Sequence, residues 1–321
     1  MRAKLSPLLL ASFALLTAAL PAAARDVLLV GNKGEDTLGI YDLADGKPIA
    51  AIPTGNQPHE IVVMGDGSQA AVVSYGGTSI DVIDLAAPGK IATIELSPNK
   101  RPHGLLWMPK SERLIATTEG SASVAIVEPD GTLTTIATGQ QGSHMVALLG
   151  EDRAFVANIG SGTVSVLDLK ANRKLADIVV GGKPEGIAVA AGKVFVGDLT
   201  APRVSVFDAA THQKLGELTV GGAAIRVIAS PDGRTVATSN ISTGSVTLID
   251  TASHAVSRSF PISGEAASGQ VTLIWSADGK RLYAAETARN QVAEIDAASG
   301  KVLRRIAVGK NGDGLAVAKL P

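Results

Sequence analysis

Thr163-Val164-Ser165-Val166-Leu167-Asp168 is followed forty residues later by Arg203-Val204-Ser205-Val206-Phe207-Asp208, the same alternation of apolar and polar side chains ending on the same acid. An alternation with period two, carried by β-branched residues, is the pattern of a short strand with two distinct faces. Working outward, the acid recurs at Asp42, Asp84, Glu128, Asp168, Asp208, Asp250 and Asp296, with spacings of 42, 44, 40, 40, 42 and 46 residues. Seven units of 40 to 46 residues mean a repeat architecture. No stretch sustains a 3.6-residue period, so the units are read as strands and not as helix pairs.

Each unit divides into four short strands. In the cleanest stretch these are Gly186–Ala190, Lys193–Gly197, Thr163–Leu167 and Leu175–Val180, the last two taken from the preceding repeat. The joins carry turn chemistry: Asp66-Gly67, Asp232-Gly233 and Asp278-Gly279 place glycine where a tight turn needs positive φ. A lone four-stranded meander cannot bury both faces, whereas seven stacked radially can, leaving only short edges. The expected fold is therefore all-β, a seven-bladed β-propeller over residues 25–321. The first complete repeat starts at a second strand, Val27–Gly31, and the chain ends after a first strand, Gly314–Ala318. The C-terminal strand is thus expected to complete the N-terminal blade and close the ring.

Ala154-Phe155-Val156-Ala157-Asn158 followed by Gly160-Ser161-Gly162-Thr163-Val164-Ser165-Val166, together with Ser230-Pro231-Asp232-Gly233-Arg234, resembles the YVTN-type β-propeller repeats of exported bacterial and archaeal proteins. The resemblance runs through all seven units from Asp26 onward, although no copy is a literal Tyr-Val-Thr-Asn and the third and sixth depart most. It implies a fold, and fold does not carry function.

Residues 1–24 have Arg2 and Lys4, an apolar run from Leu8 to Leu20 and the small string Ala22-Ala23-Ala24, the layout of a secretory signal peptide cleaved after Ala24. The apolar run is shorter than the roughly 20 residues that span a bilayer. A periplasmic or secreted, monomeric protein without a membrane span is expected. The chain has no cysteine, which removes disulfides, thiolate metal sites and thioether haem. Loss of the leader puts the net charge at about −3, and aromatic residues are 3% of the chain. Nucleic acid is not an expected partner, because neither a basic stripe nor stacking aromatics are present.

In a propeller, ligands are expected at the channel mouth, where loops from every blade converge. Aligned through Lys183-Pro184-Glu185-Gly186, the leading positions of the innermost strands are His59, His103, His144, Glu185, Ile225, Val271 and Asp313. Three of the five histidines thus share one repeat position in three consecutive blades. A three-imidazole set suits Zn²⁺ or Cu²⁺ with a fourth position open. Glu185 and Asp313 flank the set, Arg226 lies one step further along the fifth innermost strand, and Asp198 and Glu286 belong to a polar tier at the ends of the second strands.

Three outcomes stay open at this point: a metal site, an organic or anionic ligand site, and inherited copies of one residue with no common ligand. His212 and His254 fall in turns on the opposite face and read as solvated. Trp107 and Trp275 read as filling between blades, and the recurring acids as turn caps. For function, a binding or scaffold protein, whose partner is an unspecified protein, peptide or small molecule, requires nothing the sequence lacks. The alternative is a propeller lactonase, lyase or hydrolase using the same mouth. No catalytic residue is assignable, since the chain has neither a G-x-S-x-G elbow nor an H-E-x-x-H motif.

Overall fold

The computed structural model describes residues 25–320; the expected leader, residues 1–24, lies outside them. The described residues form seven antiparallel sheets of four strands each. In one representative blade, Pro184–Ala190 is innermost, followed outward by Lys193–Asp198, Arg203–Asp208 and Lys214–Thr219. The ring closes as the sequence implies: Gly312–Leu320 pairs antiparallel with Arg25–Asn32, with Leu28 opposite Val317, and supplies the innermost strand of the first blade.

Alternation along the second strands explains the seven-fold stacking. Val27 and Leu29 pack toward the next blade with Ile61, Val72 and Leu85. Leu28 and Val30 turn the other way, onto Tyr283, Val292 and Ile306 of the last blade. Side chains at i and i+2 share a face, so both faces of one strand are apolar and buried, and each core sits in the gap between two blades. The outer strands keep one anchor each, such as Phe260 in the otherwise exposed Ala255–Pro261. Trp107 and Trp275 pack against these interblade cores, as expected.

Six of the seven recurring acids cap the turn that follows their strand. Asp42 accepts from the Ala44 N–H at 2.7 Å, Asp84, Asp168 and Asp208 make the equivalent bonds, and Asp250 and Asp296 accept from the N–H one residue further on, of Ser253 and Ser299. Glu128 is the exception: one methylene longer, it faces Arg113 at 3.6 Å, and Asp130 accepts from the Thr132 N–H instead. His212 and His254 correct the reading of them as solvated. Both are half-buried at left-handed φ values of 63° and 52°, with Nε2 shielded from solvent.

Candidate functional site

Every innermost strand carries a register shift at its leading end, among them Pro58/Ile61, Pro102/Leu105, Ser143/Met145 and Ala224/Arg226. A bulge leaves one residue unpaired and re-aims its side chain. Two consecutive residues can then both serve the channel: His144 with Met145 and Ile225 with Arg226 line one chamber, and Glu60 meets its neighbour His59 in a hydrogen bond. Where the second residue is glycine, the neighbouring strand moves in. A Cβ on Gly314 would lie 1.7 Å from the His59 carbonyl oxygen, so that position accepts no side chain.

The chamber at the mouth has a volume of about 220 Å³ and is walled by His59, His103, His144, Glu185, Asp313 and Arg226, with Lys33, Tyr75 and Met145. The three imidazoles form a stack. Ring centroids are 4.0 Å apart between His59 and His103, and 3.6 Å apart between His103 and His144, the second pair inclined by only 30°. Tyr75 meets His103 edge-on at 5.3 Å.

The outer members of the stack are engaged on both nitrogens. His59 Nδ1 is 3.2 Å from Glu60 and Nε2 is 3.3 Å from Asp313. His144 Nδ1 is 2.9 Å from Glu119 and Nε2 is 3.4 Å from Glu185. His103 between them differs, because its Nδ1 is buried without a hydrogen-bond partner. Burial, and then the neighbouring imidazoles, push the His103 pKa well below the ordinary histidine value, so its ring is neutral and keeps a lone pair. Burial alone would do the same to His144, but Glu119 and Glu185 outweigh it and raise its pKa to about 9.

A layer below, Arg226 crosses the channel. Its guanidinium donates to Glu60 at 2.6 Å, to the Thr272 hydroxyl at 2.9 Å and to the Met145 sulfur at 3.1 Å. Burial opposes the Glu60 charge, yet Arg226 and His59 hold its carboxyl at about 2. Asp313 accepts from Lys33 at 2.5 Å and from Thr272 at 2.7 Å. Burial again opposes the charge, and His59 and Lys33 hold the carboxyl far below its usual range. Arg226 and Met145 line both this polar chamber and a second, apolar one of about 350 Å³ beneath it, walled by Ile61, Leu105, Val146, Ile187 and Leu273.

The structure thus gathers six of the eight expected site residues: His59, His103, His144, Glu185, Arg226 and Asp313. Asp198 and Glu286 stand apart. Asp198 is bound by Arg203 and Thr200, and Glu286 by Arg305 and Gln291, where they brace second-strand ends. Asn158 and Asn240 do the same in their blades. The polar tier that reaches the hub begins one residue later, with Lys33, Tyr75 and Glu119. Glu60, Met145 and Thr272 were also unforeseen, because strict alternation sends the residue after a hub position away from the channel, and only a bulge reverses that.

One oxygen of Glu60 and one nitrogen each of His59 and His103 lie within 4.8 Å of one another. Two imidazoles and a carboxylate are a set that Zn²⁺ or Cu²⁺ accepts, with a fourth position free.

Residues 181–319 match the family described as YNCE-like beta-propeller. The chain is a β-propeller; the match does not reach the YVTN repeat as such. No curated protein matches the chain in sequence. Among solved structures, apo AztD from Citrobacter koseri is similar with a TM-score of 0.65 at 13% identity, over 92% of this chain and 99% of that one. A functionally unknown protein from Desulfotomaculum acetoxidans gives 0.75 at 14% identity, over 92% and 99%. Virginiamycin B lyase from Staphylococcus aureus gives 0.68 at 13% identity, over 78% and 84%. At these identities the likeness is one of fold.

Proposed function

We propose that this protein is an exported β-propeller of the YVTN-repeat type that binds a divalent transition metal, Zn²⁺ or Cu²⁺, at its hub. The observation that carries the reading is His103: a buried, neutral imidazole with an unpartnered Nδ1, one ring nitrogen of which lies within 4.8 Å of ligand atoms of His59 and Glu60. A buried polar atom without a partner is costly, and a metal would engage it. His144 completes the stack as a supporting wall, since the ligand atoms that converge are those of His59, His103 and Glu60. Export rests on the leader at residues 1–24, and no helix among the described residues is long and apolar enough to cross a membrane.

The test is a chelator-competition titration with Zn²⁺ and Cu²⁺ on the mature protein, on the single His59→Ala, His103→Ala and His144→Ala variants, and on the triple variant that combines them. One ion per chain is expected, with the greatest loss in His103→Ala. His144→Ala should lose less, about 10–100-fold, as groups that support ligands do. Equal uptake by wild type and the triple variant would end the reading.

One observation favours the second reading, a lactonase, lyase or hydrolase. The His144–Glu119 pair at 2.9 Å, with the Tyr75 hydroxyl donating to the same carboxylate at 3.2 Å, has the form of a positioned acid–base group. Turnover of lactone or ester substrates that disappears in His144→Ala would establish it in place of the first.

A further inference from the structure

We infer that the seam between the blade that starts at Pro58–Met64 and the blade that starts at Pro102–Met108 binds a protonated organic amine with an apolar body. The site is separate from the hub and does not depend on the metal centre proposed there.

The residue after each recurring acid closes its blade in the same way. Its N–H donates to the carbonyl just before the second strand, from Leu85 to Ser68 at 2.8 Å and from Leu169 to Asp152 at 2.9 Å, and Leu43, Ala209, Thr251 and Ala297 make the same bond. The side chain at this position is buried in five of these six blades and half-buried at Leu43, with Leu85 and Leu169 inside interblade cores. After Glu128 the counterpart is Pro129, which does neither. Proline has no N–H to donate, and the ring of Pro129 is exposed. Among the described residues no donor reaches the Glu112 carbonyl on which the bond would have closed.

At this missing plug lies a cavity of about 310 Å³. Met64, Trp107, Leu114 and Val127 form its apolar wall, Glu112, Glu128 and Pro129 stand at its rim, and neither lysine nor arginine is among its lining residues. Glu128 meets Arg113 at 3.6 Å, whereas Glu112 is exposed at the rim without an ion pair among the described residues. Two carboxylates and an unclaimed carbonyl call for donors and positive charge, and an ammonium brings three donors and one charge. The indole of Trp107 is half-buried, and a cation beside an indole is attracted to the ring face. The volume equals that of roughly ten waters, enough for a six-carbon amine whose chain covers the apolar wall. An anion would be repelled by both acids, and a neutral molecule would leave the charge of Glu112 unanswered.

The experiment uses the mature protein with Trp275→Phe, which leaves Trp107 as the sole indole, and follows its fluorescence as hexylammonium, hexanol or hexanoate is added; calorimetry on the wild type gives the same affinities without the substitution. Hexylammonium should bind roughly tenfold more tightly than hexanol, the margin of a charge-assisted hydrogen bond, and hexanoate should not bind. Glu112→Gln combined with Glu128→Gln should bring hexylammonium down to the affinity of hexanol. Pro129→Leu restores both the N–H and the plug found at Leu85 and Leu169, so it should keep the fold and abolish binding. Equal affinities for hexylammonium and hexanol would reduce the seam to an apolar crevice. Binding undiminished in Pro129→Leu would put the amine elsewhere, the hub included. Either result, a preference for the cation that survives the double variant, or no binding to the wild type would overturn the inference, and none of them bears on the metal centre.

Discussion

The molecule holds two rings of carboxylates that behave in opposite ways. The outer ring repeats: an aspartate ends the third strand in six of seven blades, and each bonds the backbone of its own turn. The inner group does not repeat. Glu60 and Glu119 each occur at their place once, Glu185 and Asp313 share one place in only two of the seven blades, and all four, buried or half-buried, meet partners from other blades. A task every blade needs is done by local contacts within each repeat, whereas a task needed once is assembled from residues far apart in the chain. Arg226 and Glu60 are 166 residues apart and meet across the channel.

The sharpest way to break this contrast is to remove one inner partner. Arg226→Met leaves Glu60 buried without its cation, and breaking a buried pair from one side costs about 3–5 kcal/mol. The midpoint of urea unfolding should fall accordingly. Adding Glu60→Gln should recover much of that loss, because the stranded charge is then gone. A double variant no more stable than Arg226→Met would show that Arg226 acts through packing and not through Glu60.

Unlike the outer ring, the hub should also lose stability on the alkaline side, through His144. An imidazole in an unfolded chain titrates near 6.5, and the folded His144 holds its proton up to about 9, Glu119 and Glu185 overcoming burial. The folded state binds that proton more tightly, so the contribution is complete below about 6.5 and is lost as the pH rises toward 9. Its size is on the order of 3 kcal/mol. The turn-capping Asp168, Asp208 and Asp250 run the other way. Backbone N–H groups lower their pKa values, so their contribution is present above the unfolded value and disappears in acid. Stability curves measured from pH 6 to 9.5 should slope downward in the wild type and flatten in Glu119→Gln. An unchanged slope in that variant would assign the alkaline loss to another group.

What could be read in the sequence follows the same division. Blade number, strand order and the closing pair of termini all rest on repetition, and the turn caps at Asp42 and Asp208 could be found for that reason. The imidazole stack was legible too, because histidine at 59, 103 and 144 departs from the repeat at one shared position. Glu60 and Met145 were not, since each follows a hub residue and only the bulge turns it into the channel. Asp198 and Glu286 misled for a related reason. The end of the second strand is polar in every blade, as bracing requires, and the residues that reach the hub begin one place later.

The smallest effect should come from the outer ring. Asp208 accepts from the Ala210 and Thr211 N–H groups at 2.9 and 2.7 Å, in a turn that also has solvent at hand. Asp208→Ala frees donors that water can satisfy, so the expected change is about 2 °C in Tm. Asp208→Asn should lose less, because its side-chain oxygen still accepts both bonds. Capped turns in separate blades share no partners, so Asp84→Ala and Asp208→Ala should add, whereas substitutions at Glu60 and Arg226 should not. Strong coupling between the two caps would mean that the outer ring, like the hub, works as a connected whole, and the contrast between the rings would be lost.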